Sequence, residues 1–140
     1  MAFSVRTSIV TPSEVTQLFG CEPDCTVIKG PDRTPPRVRP PQHGWIIESV
    51  DERGHDLVGQ FTALVDRVRP LVPKVAALRA IDPSTDVSFY IAVTPFSDRL
   101  VYGFTPDAIA VIAAFDAGVG FDFFESNFGG SLEVSVPAPD

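Results

Sequence analysis

The sequence predicts an α+β fold, in a single domain over residues 1–140, with a mostly antiparallel sheet of about five to seven strands. A central amphipathic helix and two shorter capped helices are expected to cover that sheet. Three observations support this prediction: strand-like segments outnumber helical ones, most connections are short, and one long segment keeps an unbroken helical period. A chain of 140 residues has the size of one ordinary domain.

The first predicted strand and helix are adjacent. Residues 3–10 alternate between apolar and polar positions, which is the period of a half-buried strand. Thr11, Pro12 and Glu14 then supply a helix cap, a proline at the first helical position and the acidic partner of a capping box. Gly20 can adopt the left-handed conformation that ends the helix.

Residues 21–44 are predicted to be irregular, with a short strand at 26–28 and an extended loop at 31–41. Five prolines fall in that loop and favour polyproline geometry. Residues 44–50 return to strand-forming types, and Trp45 is expected to anchor the core near the mouth of the loop.

The central helix is predicted from residues 56–81. Its apolar positions recur every three or four residues and share one face; they are Leu57, Phe61, Leu64, Val65, Val68, Leu71, Val72, Val75 and Leu78. Because proline interrupts a helix, the main helix should end at Val68, and a second turn or two should follow Pro70 on the same core.

The remainder of the chain predicts two more strands, a capped helix and a C-terminal hairpin. Residues 87–94 are apolar enough to be buried on both faces and are expected to pair with 100–104. Thr105 and Pro106 cap a helix that ends before Gly118, and 119–125 form a strand. A turn near Asn127 then folds the alternating residues 131–136 back against it.

Charge is unevenly distributed along the chain, whose net charge is −7. Residues 1–80 carry ten Lys or Arg against nine Asp or Glu, whereas residues 81–140 carry one Arg against nine acids. An acidic surface repels nucleic acid and attracts a basic protein, although a well-solvated surface without a partner gives the same composition. No apolar run reaches the length of a membrane span, so we expect no membrane association and a cytoplasmic location.

Cysteine and histidine do not form a recognisable metal motif. Cys21 and Cys25 are suitably spaced for zinc, but His43 and His55 lie too far apart for a zinc finger. Two reduced thiols near a helix end, a disulfide and a metal site are the alternatives, and we expect no metal. No cofactor is expected either, because Gly118 and Gly120 lead into a strand rather than out of one, the reverse of a dinucleotide loop.

The basic proline loop is the candidate binding site. Its positive groups could hold a phosphate or an acidic group next to an aromatic ring; the residues are Lys29, Arg33, Arg37, Arg39, His43 and Trp45. A solvated loop is the alternative. No aromatic residue is interleaved with these charges, which argues against nucleic acid.

The order of these segments resembles the domain-of-unknown-function family 4279 over about residues 3–125. The matching positions run from Pro12 to Gly20 and on to Pro23, then Lys29, Gly30, Gly44, Trp45, Ser49, Leu64, Val68, Pro70, Phe104, Gly118, Phe121 and Asp122. The resemblance implies a compact bacterial α+β domain of a kind suspected in immunity or other interaction roles. It implies no reaction and no catalytic residues, and residues 126–140 lie outside it.

We therefore expect no enzymatic activity, since no catalytic motif is present. The first hypothesis is an interaction module with a basic protein partner, and an immunity-type protein is one version of it. The second is a small anionic ligand bound by the basic proline loop, and an unrecognised enzyme is the third. A homodimer through the C-terminal strand edge is a further prediction.

Overall fold

A five-stranded mixed sheet organises the computed structural model, which describes residues 1–30, 40–49, 57–93 and 103–123. Its strands are β1 Ala2–Thr7, β2 Cys25–Val27, β3 His43–Glu48, β4 Asp86–Val93 and β5 Gly118–Phe123. Their order is β2-β3-β1-β4-β5; β4 and β5 are parallel and every other pair is antiparallel. The predicted α+β class is confirmed.

Four helices lie on one face of this sheet: α1 Pro12–Phe19, α2 Leu57–Val68, α3 Val72–Ile81 and α4 Pro106–Ala114. The predicted end of the central helix at Val68 is confirmed, and a 3-10 turn, Arg69–Leu71, joins α2 to α3. Pro70 and Pro73 each occupy one of the first two positions of their segments, where a missing N–H costs little. For that reason α3 continues for ten residues, longer than the predicted turn or two.

The core fills the space between the helices and the sheet. Phe3 on β1 packs against Phe89 on β4 and against Phe115 after α4, with ring centroids 5.2 and 5.0 Å apart. Phe61 of α2 also contacts Phe89, at 5.5 Å. Trp45 of β3 meets Phe19 of α1 edge to face at 4.9 Å. These aromatic contacts attach helices α1 and α2, and the end of α4, to the sheet.

Two predictions about β4 are corrected by the structure. The strand is buried on one face only: Phe89 and Ile91 are buried, whereas Tyr90 and Ala92 are exposed. No described helix lies on the second face. The expected hairpin partner at 100–104 is not formed at its described end, since residues 103–104 lie outside any strand. Instead β4 pairs with β1 and β5.

The other expectations can be compared only in part. Strands were predicted near all five observed positions, with boundaries shifted by one to three residues. The C-terminal hairpin and tail, residues 126–140, lie outside the described part of the chain. Among the described residues, no helix combines the length and the apolar character needed to cross a membrane.

Candidate functional site

The described ends of the basic proline loop are held together by hydrogen bonds. β2 and β3 form the antiparallel pair from which the loop leaves, and the backbone N–H of Gly30 donates to the carbonyl of Pro40 at 3.2 Å. The backbone N–H of Lys29 donates to Nδ1 of His43 at 3.0 Å. The Lys29 ammonium donates to the carbonyl of Ser8, also at 3.0 Å. The structure therefore brings Lys29 and His43 together at the base of the loop.

The remaining predicted loop residues are placed differently. Arg33, Arg37 and Arg39 lie outside the described residues. Trp45 is 1% exposed, and its indole N–H donates to the hydroxyl of Thr16 at 3.0 Å. Its ring belongs to the core beneath α1, as the core-anchor prediction states. A surface ligand would have to displace α1 before it touched this ring.

Cys21 and Cys25 are both exposed and are not joined by a disulfide. His43 is engaged at the loop base, and His55 lies outside the described residues. No group of three His, Cys, Asp or Glu side chains in the described part of the chain is placed to hold a metal ion.

The second face of the sheet presents a different surface, which we call the open face. Alternation along the strands places the large apolar residues of β1, β3 and β4 toward the helices and their neighbours toward this face. Strand register then aligns Glu48, Ala2, Tyr90 and Gly120 in one row across it, and Arg6 beside Asp86 in another. The described open-face residues are Cys25, Val27, Gly44, Ile46, Glu48, Ala2, Ser4, Arg6, Asp86, Ser88, Tyr90, Ala92, Gly118, Gly120 and Asp122.

Charge on the open face is predominantly negative among these residues. Arg6 is its one cation, and register places it opposite Asp86 on the neighbouring strand, where opposite charges attract each other. Glu48 and Asp122 stand opposite Ala2 and Ala92. The described residues of this face therefore carry three acidic side chains, Glu48, Asp86 and Asp122, against one basic side chain.

Tyr90 and Asp122 form a hydrogen-bonded pair on this face. The Tyr90 hydroxyl donates to Oδ2 of Asp122 at 2.6 Å. This hydrogen bond to the carboxylate raises the pKa of Tyr90, because the neighbouring negative charge opposes ionisation of the phenol. Tyr90 therefore remains a neutral donor to the Asp122 carboxylate.

Several ion pairs hold the helix layer in place on the other face. Arg67 of α2 donates to the Asp24 carboxylate at 3.0 Å, and the backbone N–H of Glu48 donates to the same carboxylate at 2.8 Å. The hydrogen bond from the Glu48 N–H lowers the pKa of Asp24 most, and the hydrogen bond from Arg67 lowers it further. Arg69 bridges Asp66 and Asp107, and so links α2 to α4. These exposed pairs orient helices and assemble no catalytic group.

Sequence reasoning missed the Tyr90–Asp122 pair, although a signal was present. In the segment 87–93 the odd positions are all Val, Phe or Ile, whereas the even positions hold Ser88, Tyr90 and Ala92. This alternation indicates a one-sided strand. Tyr90 was grouped with the apolar residues because a single aromatic ring fits a core as well as a surface.

Comparison with known proteins gives one match. No curated protein and no solved structure matches this chain significantly. The model of a family described as a domain of unknown function, DUF4279, matches residues 1–124, which include every described strand and helix. The chain belongs to this domain-of-unknown-function family.

Proposed function

We propose that this chain is a non-enzymatic protein-interaction domain that docks a basic protein on its open face. The proposal includes the bacterial and immunity-type setting that the family resemblance suggested, and the cytoplasmic location expected from the sequence. One observation carries it: all described helices cover one face of the sheet, and the opposite face exposes Tyr90 beside the Asp122 carboxylate, with Glu48 in the same row across the sheet. Aromatic side chains with complementary charge are typical of protein interfaces.

The charge distribution supports a basic partner rather than nucleic acid or a membrane surface. Nine of the acidic residues lie in 81–140, which includes β4 and β5, against a single arginine. Phosphate groups would be repelled from that surface, whereas lysine and arginine side chains would be attracted to it. Electrostatic attraction of this kind raises the association rate and weakens as salt is added.

Affinity capture with matched charge variants tests the proposal. The full chain, the open-face variant Glu48→Gln/Asp122→Asn and the control Glu22→Gln/Asp116→Asn would each be used as bait at low and at high salt. Both variants remove two negative charges, but Glu22 and Asp116 lie on no strand of the sheet.

The expected result is a protein rich in lysine or arginine that the full chain and the control capture at low salt, and that high salt releases. The open-face variant should not retain it. A partner whose retention is independent of salt, or one that the open-face variant holds as well as the control does, would contradict the proposal.

The base of the basic proline loop supports a second candidate function, the binding of a small anion. Lys29 and His43 are held together there, and the Gly30–Pro40 hydrogen bond closes the loop at its root. Phosphate or citrate should then raise the melting temperature, and Lys29→Gln should abolish the rise while Arg79→Gln keeps it. Melting is the suitable readout because Trp45 is buried, so its fluorescence need not respond to a surface ligand.

The homodimer prediction concerns the C-terminal strand edge, on the side of the sheet where β5 is the outermost described strand. If two copies pair their strands at this edge, the average molecular mass in solution should rise with protein concentration. Sedimentation equilibrium across a wide protein concentration range tests it, and a constant monomer mass would contradict it.

A further inference from the structure

Tyr90 crosses from its own strand to the next one. Register places Tyr90 opposite Gly120, and one ring carbon lies 3.5 Å from the position that a Cβ on Gly120 would occupy. The hydroxyl then reaches Asp122, two residues further along β5. The ring therefore leans over β5 at ordinary contact distance, and the residue remains 42% exposed.

This arrangement supplies the two features that an arginine side chain recognises. The guanidinium group is planar, stacks on aromatic rings and pairs with carboxylates. Here an exposed aromatic ring ends at a carboxylate, and a carboxylate has about four acceptor positions, of which the Tyr90 hydroxyl uses one. No further partner of the Asp122 carboxylate is found among the described residues.

The surrounding residues leave space for such a side chain. Ala2 and Gly120 flank Tyr90 in its row, and Ser88 and Ala92 precede and follow it on the same face of β4. None of them carries a charge or a long side chain. Arg6, the described cation of the open face, stands two rows away beside Asp86.

We propose that an arginine side chain of the basic partner stacks on Tyr90 and pairs with the carboxylate of Asp122. This contact rests on the proposed function, because it presumes a protein partner docked on the open face. It goes further in naming arginine over lysine, since a lysine ammonium pairs with the carboxylate but lacks the planar group that stacks.

The test uses the full chain with nona-arginine and nona-lysine as probes. Binding would be followed at low salt by the NMR signals of the Tyr90 ring, assigned with a Tyr102→Phe variant, and of the Asp122 amide. Nona-arginine should shift both signals and bind more tightly than nona-lysine.

Variants separate the two halves of the contact. Tyr90→Leu should weaken nona-arginine binding about 2- to 5-fold, the range of an exposed cation–π contact. Asp122→Asn should have an effect of about the same size, as expected for an exposed ion pair. Tyr90→Phe keeps the ring and should retain most of the arginine preference. The control Asp86→Asn should change binding by less than about 2-fold, since that carboxylate lies two rows away from Tyr90 on the same face. A melting curve for each variant shows whether the fold is intact.

Three results would overturn the contact: shifts that map elsewhere on the chain, equal binding of both peptides, or variants that bind like the full chain. Nuclear Overhauser contacts between the Tyr90 ring and residues 124–140 in the free protein would also overturn it, since the face would then be covered by the chain itself. If the double variant Tyr90→Leu/Asp122→Asn still captures the basic partner, this contact is rejected but the proposed function is not. Specific nona-arginine binding without any captured basic protein supports the contact and rejects the proposed function.

Discussion

The carboxylate of Asp82 accepts a 2.7 Å hydrogen bond from the backbone N–H of Ile9, 73 residues earlier in the chain. The same oxygen accepts from the N–H groups of Ser8 and Val10 at 3.0 and 3.2 Å. The second oxygen accepts from the backbone and the hydroxyl of Ser84. A single buried side chain therefore joins the end of β1 to the end of α3.

Acid should weaken the fold through Asp82. Burial alone would raise the pKa of this carboxyl, but hydrogen bonds from Ser84, Ile9 and Val10 outweigh burial and hold the pKa well below its usual value. Because the pKa is lower in the folded than in the unfolded chain, the stabilisation is complete above about pH 5 and is lost as the pH falls below about 4.

The variant Asp82→Asn should lower the free energy of unfolding at pH 7 by about 1.5–3 kcal/mol, the range for hydrogen bonds to a charged group. It should also lose less stability than the wild type between pH 5 and pH 3. Urea unfolding at several pH values measures both effects, with the exposed Asp86→Asn as control. Parallel pH curves for wild type and variant would refute this role.

Removal of the Asp82 side chain should create a binding site for a small anion. In Asp82→Ala the N–H groups of Ser8, Ile9 and Val10 would still converge on the vacated position, as backbone groups do in anion-binding nests. Formate should raise the melting temperature of this variant more than chloride does at equal ionic strength. The wild type should show no difference between the two salts, and equal shifts in the variant would count against a preserved nest.

Thr16→Val should lower the free energy of unfolding, because it removes the acceptor of the Trp45 indole hydrogen bond. Valine has nearly the same shape as threonine but cannot accept the indole N–H, which would remain buried and unpaired at a cost of about 1–3 kcal/mol. Denaturant unfolding measures the loss, and Gln17→Ala on the exposed side of α1 provides the control. An unchanged midpoint would show that the indole finds another acceptor.

The two threonine caps should differ in strength. The Thr11 hydroxyl accepts from the N–H of Glu14, whose carboxylate in turn accepts from the Thr11 N–H at 2.8 Å. Thr105 only accepts from the N–H of Ala108, at 3.2 Å, since alanine cannot reciprocate. Thr105→Ala should cost about 1 kcal/mol. Thr11→Ala should cost more, because it also removes the 2.7 Å hydrogen bond that the Thr11 hydroxyl donates to the Glu14 carboxylate. Thermal unfolding of both variants ranks them, and the reverse order would show that this hydroxyl–carboxylate bond adds nothing.

Local chemistry made much of this fold predictable from sequence. Both caps and the interruption at Pro70 depend on residues close together in the chain, and the structure confirms them. Strand pairing depends on residues far apart. Nothing near β1 indicates that it lies between β3 and β4, and the parallel pairing of β4 with β5 follows from where α4 packs.

The candidate site was less predictable for the same reason. Lys29 and His43 were grouped by their closeness in sequence, and the β2–β3 pairing does bring them together. The Tyr90–Asp122 contact spans two strands that are neighbours only in the folded sheet, so it required the register. Asp82 opens the turn that follows α3, and its hydrogen bonds to residues 8–10 have no sequence signature.

The central position of β1 has a consequence for how the chain reaches its folded state. Ala2 pairs with Glu48 on one side and with Tyr90 on the other, so the strand cannot complete its hydrogen bonds until two long stretches of chain have closed on themselves. The helices can form early, but the sheet beneath them is assembled late. Its strands pair over long separations in sequence, and such pairing slows folding. A chain that stops at Ile81 would have its first three helices and three of the five described strands, but neither β4 nor the Asp82 carboxylate that fastens the end of β1.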